Sequence, residues 1–143
     1  MANARGTKGR TLNRERKHLA TLPARVFLTG YANSVYSVMK VFHTSTFARS
    51  VRKLGLTEAE VAALEADIVL NPEAGDVIKG LGGVRKIRFG FGGRGKRGGG
   101  RCVYLVIVVE DSIYLLLAYG KLDQADLTQR QRKAILELVE DLK

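Results

Sequence analysis

The hydrophobic positions of this chain change period several times, and each change marks an element. Residues 84–91 alternate: Val84, Ile87 and Phe89 are apolar, with Arg85, Lys86 and Arg88 between them. That predicts a strand on which Lys86 and Arg88 share a face while Arg85 leans to the other. Residues 102–109 and 113–119 are apolar, β-branched and aromatic runs joined by a short polar link, and read as a hairpin at the centre of a sheet. Val61, Leu64 and Ile68 recur at i, i+3 and i+7 behind a capping box from Thr57 to Glu60, which predicts a helix ending before Pro72. A second box, Thr128 with Gln131, opens a final helix that buries Ile135, Leu138, Val139 and Leu142. Residues 40–43 read as a short strand, 46–54 as a short helix ending near Gly55, and 71–75 as a turn. The order β-α-α-β-β-β-α predicts an α+β fold, a small antiparallel sheet flanked by helices.

Residues 1–38 carry no sustained period. Within them 10–22 reads as a short basic helix broken by Pro23, 26–28 as an apolar patch and 30–34 as a loop. We therefore expect a weakly ordered basic extension over 1–38 and a globular domain over 39–143, with Met39 a plausible native start. Pro23, Arg25 and Gly30 interrupt any secretory core, and no apolar run reaches a spanning length, so no membrane partner is expected. The single cysteine, Cys102, cannot close an internal bridge, which points to a reducing, cytoplasmic compartment.

Charge sharpens the picture because it is segregated. The chain carries 24 Lys+Arg against 14 Asp+Glu, a net +10, and residues 1–38 account for +6 of it. Residues 79–101 hold eight cations and no acid, whereas the rest of 39–143 is −4. Eleven of the 16 glycines fall between Gly75 and Gly100, in the same stretch. A flexible, cationic, acid-free stripe on an acidic body suits contact with nucleic-acid phosphates. Lys79, Arg85, Arg94, Lys96 and Arg97 are its candidate RNA-binding cations.

Other chemistries are poorly supplied. The glycines from Gly90 to Gly95 match a nucleotide-binding pattern, but a strand follows them where that motif needs a helix, and Arg97 stands where a P-loop needs Ser or Thr. Two histidines, His18 and His43, and one cysteine give no metal-ligand spacing, so neither metal nor other cofactor is expected. Cys102 opens a buried strand and reads as core. What remains is cationic: Lys86 and Arg88 on one strand, Arg101 at the start of the next, and Tyr119 with Lys121 at the end of the third. If these strands are neighbours, the group converges at one end of the sheet. Scission of RNA by its own 2′-hydroxyl needs a base, charge neutralisation at the phosphorane and a proton for the 5′-oxygen, and such residues suit it. Residue types alone leave this reading level with a sheet that holds RNA or DNA without cutting it.

Three segments carry a resemblance: residues 71–78 (Asn-Pro-Glu-Ala-Gly-Asp-Val-Ile), the glycine–cation series from Gly80 to Arg88, and that from Gly95 to Arg101 with Tyr104 after it. With Tyr119-Gly-Lys121 and Asp126-Leu-Thr128, they resemble RelE/HigB-type toxins of type II toxin–antitoxin modules, over roughly 39–143. The resemblance implies a compact α+β toxin that cleaves mRNA in the ribosomal A site without metal and is neutralised by a cognate antitoxin. It places the catalytic positions on Lys86, Arg88, Arg101, Tyr119 and Lys121. In RelE proper an arginine follows the glycine–lysine pair and a tyrosine comes soon after. Leu122 and Thr128 fill those places here, which sets the chain nearer the HigB side and leaves the proton donor unassigned. The related ParE branch poisons DNA gyrase on the same fold, so a gyrase-directed toxin or a non-cleaving nucleic-acid binder is the alternative.

Overall fold

The computed structural model describes residues 25–30 and 36–143. Strands β1 (Arg25–Gly30) and β2 (Tyr36–His43) lead into helices α1 (Ser45–Leu54) and α2 (Glu58–Leu70). Strands β3 (Asp76–Val77), β4 (Arg85–Phe89), β5 (Gly100–Ile107) and β6 (Ser112–Gly120) follow, and α3 (Gln129–Leu142) closes the chain. The six strands form one sheet in the order β1-β2-β6-β5-β4-β3. All pairs are antiparallel except β2 with β6, which run parallel, so the α+β expectation holds with a mixed sheet. β6 and β5 lie at its centre, as their apolar runs predict.

The helix ends follow their local chemistry. The Thr44 side chain accepts from Phe47 N–H at the start of α1, and Gly55 ends it at φ 69°, a left-handed conformation that glycine takes without steric penalty. Both predicted capping boxes form, Thr57 with Glu60 on α2 and Thr128 with Gln131 on α3. Each is worth about 1 kcal/mol to its helix.

Two cores separate the layers. On one face α1 and α2 bring Phe47, Val61, Leu64 and Ile68 onto Val41, Cys102, Tyr104, Ile113 and Leu115. On the other, α3 brings Ile135, Leu138, Val139 and Leu142 onto Val103, Leu105, Leu116 and Leu117. The β5–β6 register shifts once: Val103 opposes Leu117 but Tyr104 opposes Leu115, leaving Leu116 as an extra residue.

The elements depart from the sequence reading in four places. The apolar patch at 26–28 is part of β1, which pairs along the outer edge of β2. β2 begins at Tyr36, so it runs unbroken across the expected boundary between 38 and 39. Two residues after the 71–75 turn pair with β4 as β3. β5 stops at Ile107, and the 3₁₀ turn Val108–Glu110 leaves Val108 and Val109 exposed where strand was expected. The basic helix expected over 10–22 lies outside the described residues.

β1 is fastened to the body by charge. Arg25 Nε donates to Glu65 Oε1 at 2.8 Å, and Glu65 on α2 is fully buried, with His43 Nε2 at 3.7 Å from the same oxygen.

Candidate functional site

Strand register assembles the cationic group. Arg88 on β4 lies opposite Arg101 on β5, and Arg101 lies opposite Tyr119 on β6. The three form one row across three strands. Lys86, two residues before Arg88, occupies the next row opposite Val103, whose side chain packs in the α3 layer. Lys86, Arg88, Arg101 and Tyr119 therefore share a face at one end of the sheet. Arg85 points the other way, its Nη1 donating to the carbonyls of Glu73 (3.1 Å) and Gly75 (2.8 Å).

The members of the row differ in exposure. Arg88 is exposed, Arg101 is 8% exposed and Tyr119 4%. Arg101 Nη1 donates to the carbonyls of Lys96 (3.3 Å) and Gly100 (2.9 Å), and Nη2 reaches that of Arg97 (3.5 Å). The glycine-rich segment is thus wrapped over this guanidinium, backbone oxygens supplying its acceptors. The Tyr119 hydroxyl is buried with no hydrogen-bond partner among the described residues, which costs stability. Burial, and next the Asp126 carboxylate, push its phenol above the ordinary range, against the pull of Arg101.

Asp126 is the member that sequence reasoning did not assign. Its Oδ1 takes the Lys86 ammonium at 3.3 Å and the Leu127 N–H at 2.8 Å. The Leu127 amide, outweighing partial burial, and then Lys86 hold this carboxyl below its usual range. Its signals in the sequence were its place just before the Thr128 capping box and in the Asp126-Leu-Thr128 segment of the resemblance, neither of which gave it a role. Lys121 lies exposed at the end of β6, its N–H bonded to the Gly99 carbonyl at 3.0 Å.

The remaining cations scatter. Lys96 pairs with Asp67 on α2 at 3.5 Å, on the far side from the row. Lys79, Arg94 and Arg97 are exposed; the Lys79 carbonyl receives Arg132 Nη2 at 3.1 Å. The glycine segment is also pinned to α2, because Glu60 Oε2 accepts the Gly92 N–H at 2.7 Å. The Thr57 and Gly92 amides lower the Glu60 pKa in consequence. β5, not a helix, follows the glycines, so they do not open a dinucleotide site. Among the described residues no group of three or more His, Cys, Asp or Glu is placed to hold a metal ion. Cys102 is wholly buried, and burial drives its thiol pKa upward, away from reactivity. Among the described residues no helix is long and apolar enough to cross a membrane.

Comparison with known proteins supplies the last observation. Among solved structures the chain is similar to the isolated E. coli RelE toxin at 16% identity, over 64% of this chain and 92% of that one, with a TM-score of 0.38. The family model for the RelE toxin of the RelE/RelB toxin–antitoxin system matches residues 39–143, well over half of the chain. The face that carries Lys86, Arg88, Arg101 and Tyr119 lies wholly within that span, and the chain belongs to the RelE toxin family.

Proposed function

We propose that this toxin stops translation in the cytoplasm by cutting mRNA on the ribosome, and that a cognate antitoxin protein restrains it. The observation that carries the reading is the row of Arg88, Arg101 and Tyr119 in register across three strands, with Lys86 beside it. A phosphate seated on the row meets Arg88 from the open side. Arg101 keeps its Nε and one Nη2 proton uncommitted after its three carbonyl contacts. These cations neutralise the charge that grows on the phosphorane as the 2′-oxygen bonds to phosphorus and the 5′-oxygen leaves. Lys86, in its neutral amine form, takes the 2′-hydroxyl proton, and the Asp126 carboxylate at 3.3 Å steadies the ammonium that results. Tyr119 orients the nucleotide through its free hydroxyl, and Lys121 binds a flanking phosphate. The electrostatic work comes from the chain's own cations, without a metal.

Induced expression should arrest growth within minutes, and primer extension should show discrete cuts in translated mRNA. Arg88→Ala is the cleanest variant, because Arg88 is exposed and its loss leaves the Arg101 contacts in place. It should lower cutting by about 10- to 100-fold, the loss of one charged contact to the transition state. Arrest of translation with every mRNA intact would overturn the nuclease reading.

A further inference from the structure

The charges on the two helices of one layer are sorted by sign. α1 carries Arg49, Arg52 and Lys53 and no acid, whereas α2 carries Glu58, Glu60, Glu65 and Asp67 and no base. All three α1 cations are exposed, and among the described residues none lies within ion-pairing distance of a carboxylate. Arg49 stands three and four residues before the other two, so the like charges repel along the helix. Cations kept for solubility alone are better interleaved with acids. The helix dipole accounts for Arg52 and Lys53 in the last turn of α1 and for Glu58 and Glu60 in the first turn of α2, but not for Arg49, which needs another cause.

The surroundings supply one. Arg49 and Lys53 flank a cavity of about 180 Å³ whose other walls are residues 117–120 of β6 and, beyond them, Asp123, Gln124 and Gln131, so one carboxylate faces the two cations. Tyr119 belongs to the β6 wall, so the cavity begins at the end of the Arg88–Arg101–Tyr119 row, and Lys121 follows at the corner. β2 pairs with β6 only as far as Leu115, which leaves the last turn of that strand's edge to α1. The helix is fixed there: Ser50 Oγ accepts the Ala118 N–H at 3.2 Å, and Thr44 Oγ1 donates to the carbonyls of Leu115 (2.9 Å) and Leu116 (3.1 Å). The helix that carries the two cations is thereby tied to the end of β6.

We propose that Arg49 and Lys53 bind successive phosphates of single-stranded RNA, continuing past Lys121 a track that starts at the row and turns round the end of β6. This rests on the RNA-cutting function above and adds a second contact surface to it. Each phosphate contact on a single strand contributes about 0.7 to the slope of log affinity against log salt.

The test is a salt titration of a fluorescent single-stranded oligoribonucleotide against three proteins: wild type, Arg49→Gln/Lys53→Gln, and Arg130→Gln/Lys133→Gln. The last removes the same charge from exposed positions on α3. All altered side chains are exposed, and equal melting temperatures confirm the fold. The α1 variant should lower the slope by about 1.4 and the α3 variant should leave it unchanged. Equal slopes for wild type and the α1 variant overturn the proposal, as does an equal loss in the α3 variant, which would reduce the effect to net charge. An α1 variant that keeps its RNA slope but loses capture by the antitoxin overturns it in favour of a protein-binding helix. Absence of RNA binding by wild type also defeats it, and primer extension on ribosome-bound mRNA then shows whether the nuclease reading falls with it.

Discussion

Tyr119 concentrates the tension of the site in a single atom. Its hydroxyl is buried, has no hydrogen-bond partner among the described residues, and stands on the residue opposite Arg101, which gives three of its five guanidinium N–H groups to backbone carbonyls. An unpaired buried hydroxyl costs the fold about 1–3 kcal/mol, so Tyr119→Phe should raise stability by about 1 kcal/mol in urea denaturation. The same change should weaken mRNA cutting about tenfold or more, because the hydroxyl's hydrogen bond is made only when substrate is present. Lower stability with unchanged cutting would show that the hydroxyl serves the core instead. At this scale the sequence was partly legible. Alternation alone puts Lys86 and Arg88 on one face and Arg85 on the other, and the hydrogen bonds of Arg85 agree. Asp126 was not legible, because its partner Lys86 is 40 residues away and only the packing of the segment before α3 brings them together.

Among the elements, the glycine-rich segment differs most from its appearance in the chain. Its composition suggests a flexible loop, yet three sets of contacts hold it: Glu60 on Gly92, Asp67 on Lys96, and its own carbonyls on Arg101. A Cβ on Gly99 would collide with the Phe89 carbonyl and lie 3.0 Å from Gly90 Cα and the Gly95 carbonyl. Gly99→Ala should therefore cost about 1–3 kcal/mol and disturb the carbonyls that hold Arg101 and Lys121, with a fall in growth arrest. Gly95→Ala, whose Cβ meets nothing within 4 Å, should change neither stability nor toxicity and serves as the control. The helices were legible because capping boxes and apolar spacing are local signals. β1 and β3 were not, since a short strand gains its identity from the neighbour it pairs with. Val108 and Val109 misled in the opposite sense, being apolar residues that the turn leaves in solvent.

For the whole molecule, titration gives a global readout. Tyr104 and Tyr119 both have phenols pushed above the ordinary range, in each case chiefly by burial. An acid whose folded pKa is raised holds its proton more tightly when folded. Its contribution to stability is therefore complete below the unfolded value, about 10 for tyrosine, and is lost as pH rises through the folded one. Stability should fall along this alkaline arm, and less steeply in Tyr119→Phe. A denaturation series from pH 8 upward with identical arms for the two proteins would contradict the assignment. Charge at this scale was only half visible in the sequence. The stripe at 79–101 is evident as a run, but folding disperses it over both faces and buries Arg101, while the cations of α1 come round to the end of β6.

The extra residue at Leu116 has a consequence beyond local geometry. Ahead of it, Ile113 and Leu115 pack toward α1 and α2; after it, Leu117 and Tyr119 pack toward α3 and Ala118 toward α1 and α2. Were Leu116 taken into the strand by regular alternation, with no bulge, Tyr119 would share the side of Ile113 and Leu115 and lie on the face opposite to that of Arg101. Parity, a matter of counting and not of any side chain's chemistry, decides which side of the sheet holds the site. The same chain with an unbulged β6 would still have every group that the chemistry calls for, divided between two layers that never meet.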